Sequence, residues 1–291
     1  MSTQQLLAPE TGPTPPARDD VLVTAGITPR QVLTTDLVES TMRAPESLRP
    51  WITELGFIPT VTDVSAPFTH VPQTATTIVL PTEQSGYRHA MVLGPQTRAR
   101  YSVTDKPAGC VRLRLAPGAT RQLLGVPAVD LANRMYRLED LPGIAADLVA
   151  ELSALAPAEV FPFLESVLPQ RVSDDATGRA HRSLLHAAVE SLSTASTPVH
   201  TLATDLSVSE RQLRNLFTSG VGVSPKHFAR IGRVRTVLAH AGDTPWAQIA
   251  ANSGYYDQSH MTADFRTLMG VPPAKFIQGH RPAPTPCQAP G

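Results

Sequence analysis

Only two cysteines, Cys110 and Cys287, occur in the 291 residues. That excludes a disulfide framework and the multi-cysteine zinc modules, which need four or more closely spaced ligands. The thiols are expected to be reduced, as in a cytosolic protein. Long apolar runs are also missing. The first twenty residues, MSTQQLLAPETGPTPPARDD, hold neither a basic segment nor an apolar one, and no run of about 18 uncharged apolar residues follows. The expectation is a cytoplasmic protein, neither exported nor membrane-spanning. Enzyme signatures are scarce as well: there is no G-x-S-x-G, P-loop or H-E-x-x-H. His70 and His89 are too few and too far apart in sequence to suggest a metal site, and no cofactor is expected.

Net charge is absent too, with 25 Lys and Arg against 25 Asp and Glu, but the average hides a division. Residues 1–175 carry 14 basic and 19 acidic side chains, net −5; residues 176–291 carry 11 and 6, net +5. The length predicts two domains, since one domain averages roughly 100 to 200 residues. Proline is used at about twice its usual frequency of roughly 5%, and much of the excess lies at the ends. Residues 1–20 and 281–291 read as disordered tails, the second containing Cys287 as an exposed thiol.

Between Val21 and about Val126 the pattern is one of short strands: TTIVL (76–80), AMVL (90–93), YSV (101–103) and VRLRL (111–115), broken by Pro, Gly and Thr. Mostly antiparallel sheet is predicted. In the last strand Val111, Leu113 and Leu115 face a core, and Cys110, Arg112 and Arg114 face the other way. Two arginines on one face suit either a solvated surface or an anionic ligand. Helical spacing follows at Leu123 and Leu124, then Ile144, Leu148, Leu152 and Leu155, then Leu164, Val167 and Leu168. The predicted division is a sensor or regulatory domain over 21–170, a linker over 171–178 where the charge changes sign, and a second domain over 179–280.

The basic half contains a repeat. Leu202-Ala203, Phe217, Gly222, Val223 and Pro225 recur as Ile249-Ala250, Phe265, Gly270, Val271 and Pro273, offset by 47 residues for the first pair and 48 for the rest. Each copy reads as a short helix, a turn and a capped second helix. In copy one Leu202, Ala203 and Leu206 form the inner stripe, Ser209 caps the second helix, and Leu213, Leu216 and Phe217 are its inner side. In copy two Trp246, Ile249 and Ala250 are buried, the turn is at Ser253-Gly254, Asp257 is the cap, and Met261, Phe265 and Leu268 point inward. The outer faces carry Arg211, Arg214, Asn215 and Thr218 in one copy and Gln258, Ser259, Thr262 and Arg266 in the other.

A helix-turn-helix requires this division, because its second helix must present polar side chains to base edges in the major groove. Arg matches guanine O6 and N7; Asn or Gln matches adenine N6 and N7. Residues 224–241 read as one helix joining the copies, with Phe228, Ile231, Val234, Val237, Leu238 and Ala241 inward. Lys226, Arg230, Arg233 and Arg235 lie off that stripe, free either to grip phosphate, as would Arg182, or to pair with the acidic half. A single joining helix could set both reading helices into successive major grooves, about 34 Å apart.

LATDLSVSERQLRNLF (202–217), GVSP (222–225), GYYDQSHMTADF (254–265) and GVPPAKF (270–276) resemble the DNA-binding domain of AraC/XylS-family bacterial transcription regulators. The resemblance implies seven helices, the first around Leu185, Ala188, Val189 and Leu192. It implies base reading by Arg211, Arg214, Asn215, Gln258, Ser259, His260 and Thr262, although His260 also suits a plain helix surface. Phosphate or positioning contacts fall to Ser209, Lys226, Arg230, Arg233 and Arg266. An arginine is common in the family where Asn215 and Ala263 stand, so the first unit is expected to discriminate more than the second.

RAPESLRPWI (43–52), LGPQTR (93–98) and 112–141 resemble a poorly characterised actinobacterial sensor domain, implying a small cupin-like β-barrel with appended helices. The overall expectation is an α+β chain that acts as a sequence-specific regulator on double-stranded DNA. It would be an activator tuned by a small-molecule effector in the amino-terminal domain, in contact with RNA polymerase, and a homodimer is compatible with it. Within the cell it would be nucleoid-associated when bound. A ligand-independent regulator whose first domain serves dimerisation or partner contact stays open. An alkyltransferase built on the same module would need an activated cysteine, and the Pro-Cys-His-Arg sequence is absent; no enzyme is expected.

Overall fold

The computed structural model describes residues 28–31, 38–61, 68–81, 89–102, 108–173, 175–194, 197–242 and 244–284. The expected tails, apart from 281–284, lie outside them, as does Cys287. The amino-terminal strands are β1 (Thr28–Gln31), β2 (Val38–Arg43), β3 (Ile52–Val61), β4 (Phe68–His70), β5 (Thr77–Pro81), β6 (Met91–Leu93), β7 (Arg100–Ser102), β8 (Ala108–Leu115) and β9 (Met135–Arg137). Seven form one antiparallel sheet in the order β1-β2-β3-β8-β5-β6-β9; β4 and β7 form a separate ribbon. The sheet is not closed, with β1 and β9 as its edges among the described residues, so in place of the expected small β-barrel there is an open antiparallel layer with helices packed on it. The strand β9 was not foreseen: three residues, Met-Tyr-Arg, are too few to show a period of two, and pairing with β6 alone places them.

Alternation in β8 sorts its side chains as expected. Val111, Leu113 and Leu115 are buried with Leu55, Ile78 and Leu80 against helices α1 (Thr120–Leu124), α2 (Ala128–Leu131), α3 (Ile144–Asp147), α4 (Val149–Ala154) and α5 (Pro157–Arg171). On the other face Arg112 and Arg114 are neither solvated nor open to an anion. Glu39, 3% exposed, accepts two hydrogen bonds from Arg114 (2.9 and 2.7 Å) and lies 3.6 Å from Arg112, while Glu54 pairs with Arg114. The two positive charges are thereby neutralised within the fold. Burial, opposed by Arg112 and reinforced by Glu39, pushes the Cys110 thiol up to about 11. Near neutrality that thiol is protonated, which is the opposite of what a nucleophile requires.

Four residues, 172–175, connect α5 to the carboxy-terminal helices: α6 (Ala176–Thr194), α7 (Val199–Asp205), α8 (Glu210–Val221), α9 (Pro225–His240), α10 (Trp246–Asn252), α11 (Gln258–Met269) and α12 (Pro273–Ile277). These seven match the expected number. Leu185, Ala188 and Leu192 of α6 pack on Leu202, Leu213 and Phe217 in one core; Ile231, Val234 and Val237 of α9 join Ile249, Met261 and Phe265 in another. The stripe of α9 therefore serves the second unit, with Phe228 turned to the first.

Candidate nucleic-acid interface

The repeat seen in sequence is exact in secondary structure. Each copy has a seven-residue helix, α7 or α10, and a twelve-residue helix, α8 or α11. Between them the chain turns through a left-handed residue, Ser207 (φ 55°) in copy one and Gly254 (φ 72°) in copy two. The turn is closed by the same bonds 47 residues apart: Val208 N–H to Ala203 O and Tyr255 N–H to Ala250 O, each 3.0 Å. A left-handed residue with a Cβ costs about 1–2 kcal/mol. Ser207→Gly, which removes that cost but adds freedom to the unfolded chain, is expected to stabilise the protein by about 0.5–1 kcal/mol in urea unfolding.

Both long helices start and stop alike. The Ser209 hydroxyl accepts from Gln212 N–H (3.1 Å) and the Asp257 carboxylate from His260 N–H (2.7 Å). Gly222 and Gly270, both left-handed, end them. Such caps satisfy otherwise orphaned groups and fix where each helix begins. One side of each helix is anchored by fully buried residues, Leu213 and Phe217 in α8, Met261 and Phe265 in α11. The other sides are then forced outward. Arg211, Arg214, Asn215, Gln258, Ser259 and His260 are exposed; Thr262 is half-buried. Arg214 pairs with Glu210 one turn earlier, an exposed pair worth only about 0.3–0.5 kcal/mol, so a base edge can displace it. His260 rests edge-on against Tyr255, with ring centroids 5.2 Å apart. The matched positions differ in reach: Arg211 answers to Ser259, Arg214 to Thr262 and Asn215 to Ala263.

The five residues expected to grip phosphate or position the protein separate into two groups. Ser209, Lys226 and Arg266 are exposed. Arg230 and Arg233 instead meet Asp264 on α11: Arg230 donates through Nε (3.1 Å) and Nη2 (2.8 Å) to one carboxylate oxygen, and Arg233 lies 3.5 Å from the other. Arg233 also stacks over the Tyr255 ring at 5.0 Å, and burial followed by the charge of Asp264 pushes the Tyr255 hydroxyl up to about 12. This knot ties the joining helix α9 to α11. Asp264 was missed by the sequence reading, yet it left a signal: a carboxylate within the inward stripe of Met261, Phe265 and Leu268 needs a buried cation. Arg182 and Arg235 also turn inward, Arg182 to Gln122 Oε1 (2.8 Å) and Arg235 to Pro72 O (3.1 Å). Tyr256, 94% exposed immediately before the Asp257 cap, was not anticipated either.

The amino-terminal domain touches both units. Gly118 N–H donates to Gly220 O in the last turn of α8 (2.9 Å), and Gly222 lies against the Ala128 carbonyl of α2. A cleft of about 220 Å³ opens at this junction, with Thr76 and Leu115 on one side and His186, Val221 and Phe228 on the other. Among the described residues no helix is long and apolar enough to cross a membrane.

Residues 202–279 match the family model described as "Helix-turn-helix domain". Three solved structures are similar to parts of the chain. The C-terminal domain of AraT, a response regulator from Geobacillus stearothermophilus, is 22% identical over 36% of this chain and 85% of its own, with a TM-score of 0.29. A probable AraC family transcriptional regulator from Rhodopseudomonas palustris is 21% identical over 34% and 99%, TM-score 0.30. ToxT from Vibrio cholerae is 12% identical over 82% and 96%, TM-score 0.36. No curated protein is significantly similar to the chain. Two capped helices with polar outer faces, each braced by a shorter helix, make residues 202–279 a DNA-binding domain of the helix-turn-helix class. Within that class, residues 202–279 are a domain of the AraC type.

Proposed function

We propose that α8 and α11 enter two successive major grooves on one side of a duplex, so that a single chain recognises an asymmetric site. The observation that carries this reading is the joining of two matched helices by one helix, α9, whose Arg230 and Arg233 pair with Asp264 of α11. Arg211, Arg214 and Asn215 read one half-site; Gln258, Ser259, His260 and Thr262 read the other, with less discrimination because those side chains are shorter or less strongly donating. Ser209, Lys226 and Arg266 contact phosphate, and Arg230 and Arg233 hold the frame. The amino-terminal domain serves as a sensor of the actinobacterial type that its motifs resemble. A small-molecule effector bound there, able to reach the junction cleft, shifts the balance of domain arrangements and with it affinity for DNA or contact with RNA polymerase. Activation is the expected sign, and dimerisation is compatible with the open edges of the sheet.

The test is Arg214→Ala against a panel of operators changed one base pair at a time. The variant is expected to lose about 1–3 kcal/mol of preference at one base pair while keeping most of its affinity for unrelated DNA. Uniform loss on every sequence, with a shallower salt dependence, would place Arg214 on phosphate and overturn its assignment as a reader.

A further inference from the structure

The ribbon β4–β7 lies in the amino-terminal half of the chain, but its partners belong to the second helix-turn-helix unit. Among the described residues it makes no strand pairing with the seven-stranded sheet. Tyr101 of β7, 5% exposed, sits in the same apolar cluster as Met261, Phe265 and Met269, and Val71 and Ala99 pack on that cluster. Ala99 N–H donates to Leu268 O (2.7 Å), and the Tyr101 hydroxyl donates to Met269 O (2.6 Å). From the other direction Arg235 of α9 donates to Pro72 O.

The last carbonyls of a helix have no partner inside it. In α11 two of them, on Leu268 and Met269, are taken by residues of the other domain. The matching end of α8 receives the counterpart of the first of these, from the Gly118 backbone N–H to Gly220 O, 48 residues before Leu268; what α11 has in addition is the side-chain bond from Tyr101 to Met269 O. That side chain is itself part of the core on which α11 packs.

We propose that Tyr101 is a positioning residue for DNA reading: it fixes the tilt of α11, and the ribbon thereby passes the state of the amino-terminal domain to the second reading helix in particular. This rests on α11 being a base-reading helix. Twelve residues span about 18 Å, so a tilt of about 10° around the held end displaces Gln258, at the far end, by about 3 Å. A hydrogen bond to a base edge does not survive that displacement.

The experiment uses the full chain with Tyr101→Phe, which keeps the ring and removes the donor, and Arg235→Met, which releases the ribbon from the opposite side. Affinity is measured for the selected operator and for two versions with one half-site scrambled. Unaltered protein should lose about tenfold or more on scrambling either half. Tyr101→Phe is expected to keep the penalty for the first half and to cut that for the second by about fivefold, the effect of one hydrogen bond of about 1 kcal/mol. Arg235→Met should act in the same direction.

Unchanged penalties alongside a lowered Tm, or equal reductions in both halves, would reduce Tyr101 to a packing role and overturn the proposal. If the unaltered protein itself shows no penalty for the second half, α11 does not read bases; that failure belongs to the assignment of the helix and is told apart by needing no variant.

Discussion

Asp264→Ala is expected to destabilise the folded protein by about 3 kcal/mol, at the lower end of the range for removing one partner of a buried ion pair. Asp264 is 8% exposed and faces two arginines that are about three-quarters buried. Without it the guanidinium groups of Arg230 and Arg233 remain close together in a half-dry site with no counter-charge. The stacking of Arg233 on Tyr255 offsets part of the loss, which is why the lower end applies. Asp264→Asn keeps the volume and should cost less. Urea unfolding followed by circular dichroism measures both. A triple variant, Arg230→Met with Arg233→Met and Asp264→Leu, should recover most of the stability, because apolar replacements need no solvation. Recovery would show that the knot contributes orientation more than net stability.

The second large effect separates the two copies of the repeat. Gly222→Ala and Gly270→Ala impose the same backbone cost, about 1–2 kcal/mol, since both residues are left-handed at φ 83° and 80°. Their surroundings differ. A Cβ at Gly222 would stand 2.7 Å from the carbonyl oxygen of Ala128 and 2.8 Å from Pro95 Cγ, both in the other domain; a Cβ at Gly270 meets only Pro282 Cγ at 3.0 Å. Backbone cannot yield as a side-chain tip can. Gly222→Ala is therefore expected to cost about 3–4 kcal/mol in the full chain, overpacking adding to backbone strain, against about 1 kcal/mol for Gly270→Ala. Equal losses in parallel unfolding curves would mean that α2 does not press on the end of α8.

The carboxy-terminal domain was legible because each of its devices is local. Ser209 and Asp257 cap helices that begin at the next residue, Gly254 marks a turn, and the spacing of Leu213 and Phe217 marks an inner face. A repeat multiplies such signals, since every one occurs twice in register. The amino-terminal domain was legible only strand by strand. Alternation shows which side of β8 faces the core, but whether a sheet closes depends on pairings between distant strands, and the short β9 supplies an edge that no local pattern announces.

The ion pairs were illegible for the same reason. Arg112 and Arg114 are joined to Glu39 across 73 and 75 residues, and Arg230 to Asp264 across 34. Composition identifies charges without their partners, so Arg230, Arg233 and Arg235 read equally well as phosphate contacts until the packing of α9 is known. The contacts of Tyr101 with α11, 168 residues away along the chain, lie furthest from anything periodicity can report.

Recognition of an asymmetric site by one chain requires the two proposed reading helices to act together on one duplex. Its most direct test is methylation interference on an operator selected from random DNA, combined with the stoichiometry of the complex. Two tracts of major-groove interference are predicted, about 10 base pairs apart on the same side of the helix and unlike in sequence, with one chain bound. A single tract, or two identical inverted tracts occupied by two chains, would contradict it.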